Sequence, residues 1–424
     1  MAGSIIMKQG VRLTGVRAKN SVHPYSHIGW MALSDNSTFP DNYKKSYLFA
    51  FSLYFIAYNL NFTTFRDLSF LHLDLFYLGV RAFCTVVLTA HILRLRFSRW
   101  QIALFSICAC VVISSTAFSG SWNILLLFLF VVAGKGVDVR DVASVSFWCS
   151  LGVILVTVLA ASAGYISSIT MNSLNNTLRQ APGFTHPNSL GVLLLSMTCA
   201  FTVLRFRKAT IVDVVFYGCM YYLCRVVVFS RTSALCILLL AFLAILATLL
   251  RGKAFDRLLI ALGIGAFIIL SLSTYYFMYS YNPSVDWMRK LDSVLSARLA
   301  LMHYFTVSFP PLPFGFDFDD AFIRFGSFST FLVDNAYAHI VLESGILVAI
   351  LMYVAWLATL VQAFRCGKLS PAIFGLIIFS FVAFCETSAF FICINFNLIG
   401  ISEALYSMQR EHSGSTCKDE VFHG

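Results

Sequence analysis

Long, uninterrupted apolar runs constrain the fold of this chain more than any other feature. Several runs of about 20 residues follow one another from residue 46 onward, each long enough for a helix to cross the ~30 Å hydrocarbon core of a bilayer. Charged residues make up only 12% of the chain, whereas a soluble domain carries roughly a quarter. Because the runs are continuously apolar rather than alternating, they argue against a transmembrane β-barrel. We therefore expect an all-α integral membrane protein.

The hydropathy pattern predicts about 12 transmembrane helices. The predicted spans are residues 46–65, 73–93, 100–118, 121–134, 142–166, 187–204, 211–229, 233–250, 258–280, 335–364, 369–387 and 389–408. The fourth is short and also fits a broken or re-entrant segment. Residues 1–45 are polar and lack the apolar core of a signal peptide, so we expect a cytoplasmic tail there and a second one at 409–424.

The positions of lysine and arginine support this topology. With the N-terminus inside, 21 of the 30 basic residues fall in cytoplasmic segments, seven in outer loops and two within spans. This bias follows the positive-inside rule, and it accounts for the net charge of +10 without nucleic acid as a partner. Two outer loops are substantial, at about 167–186 and 281–334. A loop as long as the second is usually functional.

The first of these loops ends in the stretch from Arg179 to Gly191, a polar segment that leads into an apolar run. Pro187 suits the first position of a helix, which makes His186 a candidate cap residue. An arginine just before a helix N-terminus favours an anion, because free backbone N–H groups and the helix dipole act together. An ordinary cap beside a solvated arginine explains the same residues, and both interpretations stay open.

Three further arginines are predicted on the outer face. Arg225 lies about one turn inside the seventh span, Arg231 begins the eighth, and Arg298 belongs to a predicted short amphipathic helix of the large loop. With Arg179 they predict an electropositive pocket suited to a lipid-linked diphosphate. Interfacial arginines also reach lipid phosphates routinely, so this alternative stays open for each of them.

Acidic and histidine residues supply candidates for acid–base chemistry. Asp334 suits the N-cap of the tenth span, and it is equally a candidate general base. His339 and Glu343 lie four residues apart on one helix face, where buried ionisable groups usually line a cavity. Glu386 and Glu403, near span ends, are weaker candidates. We find no metal-binding motif, P-loop or serine-hydrolase elbow, and the twelve cysteines are mostly in or beside spans.

Four places in the sequence together carry a family resemblance. They are, in order, Arg179 with Gly183-Phe184, His186-Pro187-Asn188 and Gly191; Ser230-Arg231-Thr232; Arg298 with Gly315; and Asp334-Asn335-Ala336-Tyr337 with Glu343-Ser344-Gly345. Through them the chain resembles the O-antigen polymerase and ligase superfamily, which includes the Wzy-type polysaccharide polymerases. The resemblance covers residues 46–408 as architecture, and it implies a membrane-embedded glycosyltransferase fold of the GT-C type.

The resemblance also implies an activity and a set of site residues. The family transfers glycans from undecaprenyl diphosphate at the outer face of the bacterial inner membrane, without a nucleotide sugar, metal or other cofactor. Donor and acceptor are both lipid-linked glycans, and a chain-length regulator is a further partner that the resemblance leaves open. By this likeness Asp334, His339 and Arg298 are the expected catalytic residues. The expected substrate-binding residues are Arg179, Arg225, Arg231, His186 and Asn188.

Three functions are compatible with these motifs. Ligases of the family typically carry a histidine beside the asparagine of the tenth-span motif, whereas this chain has Asp334 there and His339 one turn later. That departure favours a polymerase that makes O-antigen, capsule or exopolysaccharide, with a ligase as the alternative. A transporter or flippase for lipid-linked sugars is the third candidate, and Arg81 near the middle of the second span is its main support.

Overall fold

The computed structural model describes residues 41–172, 178–318 and 333–412. Within these ranges the chain is almost entirely helical, and its sheet is a single two-stranded antiparallel hairpin. Residues 1–40, 173–177, 319–332 and 413–424 lie outside the described ranges. They include most of the two predicted tails and the last part of the large loop.

The elements are as follows, in chain order. They are α1 (Asp41–Leu60), α2 (Leu73–Arg94), α3 (Arg99–Ser119), α4 (Trp122–Ala133), α5 (Val139–Ser162), β1 (Ile169–Asn172), β2 (Leu178–Ala181), α6 (Pro187–Leu204), α7 (Ile211–Tyr222), α8 (Arg231–Leu249), α9 (Lys253–Ser280), α10 (Asp286–Val294), α11 (Arg298–Ser308), α12 (Ala336–His339), α13 (Ile346–Cys366), α14 (Pro371–Val382) and α15 (Gly400–His412). Short π-helical segments continue α7 at Leu223–Val227 and α12 at Ile340–Ser344.

Seven helices in the described ranges are long and apolar enough to cross a membrane, namely α2, α3, α5, α6, α8, α9 and α13. The prediction of an all-α, multi-pass membrane protein is confirmed at this level. In α6, 78% of the residues in the apolar stretch are buried, against 17% in α3. Helix α6 is therefore a central helix of the bundle, and its N-terminus begins at Pro187.

Two of the predicted continuous spans are wrong. The span 335–364 is broken at Gly345, whose φ of 92° ends the helical path before α13 begins. The span 389–408 starts as two 3₁₀ turns, Thr387–Phe390 and Phe396–Ile399, before α15. Within it, the side chain of Asn395 donates to the carbonyl of Ala389 at 2.9 Å, a local bond that competes with a regular helix.

The segment after α11 fills the break before α13. The N–H groups of Ile346 and Leu347, at the start of α13, donate to the carbonyls of Leu312 and Pro313 at 3.0 and 3.1 Å. A helix start inside a membrane protein needs such partners, because hydrocarbon offers its N–H groups none. The large loop thus supplies the acceptors that the start of α13 needs.

Two glycines permit this close docking. Phe316 N–H donates to the carbonyl of Glu343 at 3.1 Å, and a Cβ at Gly315 would overlap the same carbonyl oxygen. A Cβ at Gly345 would meet the carbonyl oxygen of Pro313 at 2.6 Å. Gly315 also has a φ of 89°, which L side chains rarely adopt. The two backbones can therefore touch only because neither position carries a side chain.

An aromatic cluster fixes α12 against the bundle core. Tyr337 of α12 packs edge-on against Phe267 of α9, with ring centroids 5.4 Å apart, and its hydroxyl donates to the carbonyl of Ser380 at 2.8 Å. Tyr353 of α13 donates to the carbonyl of Tyr337 at 2.8 Å. Buried aromatic rings with satisfied hydroxyls hold a backbone firmly. The residues just before α12 are therefore held firmly as well.

Ionised side chains gather at the two ends of the bundle. One end contains Arg205 paired with Asp213 and Arg207 paired with Asp256, and we call it the paired end. The other end holds the N-terminus of α6, where the site described below is found. Helices α6 and α8 begin at this second end, whereas α9 and α14 begin near the paired end.

Candidate functional site

The hairpin that carries Arg179 is fastened to the segment after α1. Thr64 N–H donates to the carbonyl of Gly183 at 2.8 Å, and Thr185 N–H donates to the carbonyl of Phe62 at 3.0 Å. Gly183 has a φ of 74°, so a glycine suits this turn. These bonds hold β2, and therefore the backbone of Arg179, beside the start of α6.

The N-terminus of α6 fixes the guanidinium of Arg179. The ring nitrogen Nδ1 of His186 accepts from the N–H of Asn188 at 3.0 Å, so the predicted cap is confirmed. Burial lowers the pKa of His186 and the charge of Arg179 lowers it further, which keeps the ring neutral and able to accept. Arg179 donates from Nη2 to Oδ1 of Asn188 at 2.6 Å, whereas its buried Nε has no hydrogen-bond partner among the described residues.

A close contact between α6 and α8 brings Arg231 towards Arg179. A Cβ at Gly191 would lie 2.5 Å from the side chain of Ser230, so the glycine lets the turn before α8 approach α6. Arg231 follows Ser230 as the first residue of α8, and its side chain is exposed. Burial lowers the pKa of Arg179, and the charges of Arg231 and Arg298 lower it further. The positive charges of Arg231 and Arg298 therefore both act on Arg179.

Arg298 is shared between two carboxylates. Its Nη2 lies 3.4 Å from Oδ2 of Asp334 and 3.9 Å from Oε1 of Glu386, and its Nη1 donates to the carbonyl of Cys385. The Arg298 side chain is 13% exposed and that of Asp334 is 33% exposed. The guanidinium is thus oriented by protein groups and still borders open space.

Arg298 lies in a short helix of the large loop, as predicted, but it is the first residue of α11 and the predicted helix does not continue through Leu295. Ala297 has a φ of 64°, so the helical path is interrupted immediately before Arg298. The carboxylate of Asp292 accepts from the N–H groups of Leu299 and Ala300 at 2.8 and 3.1 Å. A residue of α10 therefore caps α11, which fixes the orientation of its first side chain.

Asp334 does not cap the tenth span, so that prediction is wrong. The N-cap is Asn335, whose Oδ1 accepts from the N–H of Ala338 at 3.1 Å and whose Nδ2 donates to Thr274 at 3.0 Å. Asp334 and Asn335 are both residue types that favour an N-cap. The hydrogen bond from Asn335 to Thr274 of α9 places Asn335 at the cap. The carboxylate of Asp334 is left to pair with Arg298.

Glu386, which the sequence placed among the weaker candidates, lies beside Arg298. Helix α14 ends at Val382, so Glu386 lies in the turn beyond it, at the same end as Arg298. The residue is only 4% exposed, and its Oε1 has no hydrogen bond within the described ranges. Burial raises its pKa to about 8, opposed by the charge of Arg298 and reinforced by that of Asp334. A carboxylate directly after a long apolar run was the available signal.

We call Arg179, Arg231, Arg298, Asp334 and Glu386 the arginine cluster, and its end of the bundle the arginine end. Helices α6, α8 and α11 all begin there. The N-terminal dipoles of α6 and α8 add to the positive charge of the three guanidinium groups, whereas that of α11 is capped by the carboxylate of Asp292. The cluster is chemically suited to bind an anion and to stabilise negative charge that develops on it.

Other predicted site residues lie apart from the cluster. Arg225 is exposed in the π-helical segment Leu223–Val227, and no contact joins it to the cluster within the described part of the chain. His339 Nδ1 lies 3.4 Å from Oε2 of Glu343, as their spacing predicts. This pair lines a narrow cleft with Thr387 and Phe391.

The described residues contain no group of three histidine, cysteine or carboxylate side chains that could hold a metal ion. Comparison of the chain with protein-family models, with curated proteins and with solved structures gave no match. The interpretation of the arginine cluster therefore depends on its own chemistry and on the sequence motifs that carry it.

Proposed function

We propose that this protein is a membrane-embedded glycosyltransferase that polymerises oligosaccharide repeat units linked to undecaprenyl diphosphate. The observation that carries the proposal is the placement of Arg179, Arg231 and Arg298 at the end of the bundle where α6 and α8 begin, with Arg298 paired to Asp334. Guanidinium groups match the geometry and charge of a diphosphate. The product is O-antigen, capsule or exopolysaccharide.

The proposal includes a topology. About twelve membrane crossings of the GT-C type, in the bacterial inner membrane with both termini cytoplasmic, give the arginine end an outward orientation. The excess of lysine and arginine in the other loops supports this orientation. Lipid-linked repeat units would then meet the cluster at the outer leaflet.

In the proposed reaction a hydroxyl of the acceptor glycan attacks the anomeric carbon of the donor. A glycosidic bond forms, the bond from the anomeric carbon to the diphosphate oxygen breaks, and undecaprenyl diphosphate leaves with the bonding electrons. The three arginines stabilise the negative charge that develops on the diphosphate. Asp334, or His339 oriented by Glu343, accepts the proton of the hydroxyl.

The experiment compares Arg179→Ala with Arg289→Ala in cells that lack the native gene. We expect Arg179→Ala to reduce polymer by about 100-fold or more, because one preformed partner of the developing charge is lost. Arg289 is exposed on α10, where it pairs with Asp286 outside the cluster, so its replacement should leave the polymer unchanged. Gel electrophoresis of surface polysaccharide measures both, and a normal ladder from Arg179→Ala would contradict the proposal.

The material that accumulates in Arg179→Ala separates the candidate functions. Single repeat units, with the long-chain ladder missing, support a polymerase. Lipid-linked polymer that is never transferred supports the ligase alternative. Repeat units retained at the cytoplasmic leaflet support a transporter, whose main sequence support, Arg81, lies over the ring of Tyr77 at 3.8 Å. That cation–π contact gives Arg81 a structural role of its own.

A further inference from the structure

Glu386 is the member of the arginine cluster that the proposed reaction leaves unused. It is 4% exposed, its Oε1 has no hydrogen bond in the described ranges, and Nη2 of Arg298 lies 3.9 Å from that oxygen. An ionised carboxylate in such surroundings depends on the neighbouring guanidinium groups, of which Arg298 is the one in contact, because burial removes the solvation that would otherwise stabilise it. An anion that pairs with Arg298 therefore weakens the stabilisation of the ionised Glu386 carboxylate.

The charges of the cluster and of its proposed ligand do not match while Glu386 is ionised. Three arginines and two carboxylates leave one net positive charge. A lipid diphosphosugar is a diphosphate diester with two negative charges. A neutral Glu386 would leave two positive charges on the cluster, which equals the charge of the ligand.

We propose that binding of a diphosphate diester to the arginine cluster is coupled to uptake of one proton by Glu386. The identity of this ligand rests on the proposed function. The arriving phosphates take over Arg298 as their partner and bring negative charge next to the buried carboxylate. A proton from solvent then bonds to Glu386, so that the closed site contains no uncompensated anion.

The surroundings of Glu386 support this direction. The groups that face it are Arg298 from α11, Asp334 before α12, Arg179 from the hairpin, and the thiols of Cys236 and Cys385. Burial already raises the pKa of Glu386 to about 8, and the charge of Arg298 opposes that rise. A ligand that neutralises Arg298 removes this opposition, so the pKa in the complex is higher than in the free protein. Proton uptake falls between the two values.

The test uses the purified full chain and farnesyl diphosphate N-acetylglucosamine, a diester whose phosphates do not titrate between about pH 6 and 9. Isothermal titration calorimetry in buffers of different ionisation enthalpy counts the protons taken up on binding. We expect close to none at about pH 6 and close to one at about pH 9, with affinity falling about tenfold per pH unit above about pH 8.

Two variants locate the proton. Glu386→Gln should bind with the same affinity at every pH and take up no proton, whereas Asp334→Asn should keep the uptake. Binding to wild type without proton uptake at high pH would overturn this inference and leave the proposed function standing. Absence of binding to wild type at every pH would overturn both. The proton count on wild type needs no variant to fold.

Discussion

The two ends of the bundle use the same residue types in opposite ways. At the paired end, Asp213 is fully buried and accepts from Arg205 and from both the N–H and the hydroxyl of Thr210. Asp256 there accepts from Arg207 and from a backbone N–H. At the arginine end a single guanidinium is divided between two carboxylates at 3.4 and 3.9 Å. Carboxylates with several donors each indicate a structural role, and looser sharing of one guanidinium leaves charge for a ligand.

The arginine end is held in place by backbone contacts instead. Gly191 lets α6 approach Ser230, and Gly315 lets the large loop lie against the backbone of Glu343. Such contacts fix positions without consuming the charged side chains. This difference can be tested by removing a charge at each end and by adding a methyl group at each glycine.

The largest effect is expected from Asp256→Ala at the paired end. Its carboxylate is 7% exposed, so its loss leaves Arg207 and the N–H of Leu369 without their partner. We expect the free energy of unfolding to fall by about 3–5 kcal/mol. The matched change Asp334→Ala, at a side chain 33% exposed, should cost only about 1 kcal/mol. Denaturant unfolding in detergent measures both, and equal losses would remove the distinction between the ends.

Gly315→Ala should have the next largest effect. A methyl group there overlaps the carbonyl of Glu343 and also meets a φ of 89°, so we expect a loss of about 3 kcal/mol. Gly164→Ala is the control, because its φ of 78° is similar and nothing lies within 4 Å of its added methyl. It should cost about 1 kcal/mol. Equal losses in thermal unfolding would show that docking of the loop contributes nothing.

Of the three main changes, Gly191→Ala should lower the free energy of unfolding least, and it should reduce activity by displacing Arg231. Its methyl group meets Ser230 at 2.5 Å, which we expect to cost about 1–3 kcal/mol and to move Arg231 away from Arg179. Gly218→Ala has open space and should stabilise α7 by up to about 1 kcal/mol. Polymer per folded molecule should fall only for Gly191→Ala. Normal polymer from that variant would mean that Arg231 need not lie beside Arg179.

Sequence patterns predicted the features of the site that depend on residues close to one another in the chain. The cap at His186, the start of α8 at Arg231 and the contact of His339 with Glu343 follow from sequence spacing and are confirmed. The family, the activity and the roles of these residues stay predictions. The twelve-span count and the GT-C type likewise belong to the proposal.

Tertiary contacts decided the features that the sequence did not reveal. Asp334 and Asn335 are equally good caps by residue type, and only the bond to Thr274 selects Asn335. Glu386 looked like the end of a span because its preceding run is apolar, yet α14 stops at Val382. The break at Gly345 depends on a loop about 30 residues earlier in the chain, which no local pattern contains.

The docking of Leu312 and Pro313 on the start of α13 also sets an order of assembly. Leu312 and Pro313 leave the ribosome before Ile346 and Leu347, whose N–H groups donate to their carbonyls. The large loop can therefore dock only after the start of α13 has been made. Until the loop docks, the N–H groups of the first turn of α13 need water as their hydrogen-bond acceptor, because hydrocarbon provides none. Docking of the loop therefore follows synthesis of the start of α13, and it completes the hydrogen bonding of that helix.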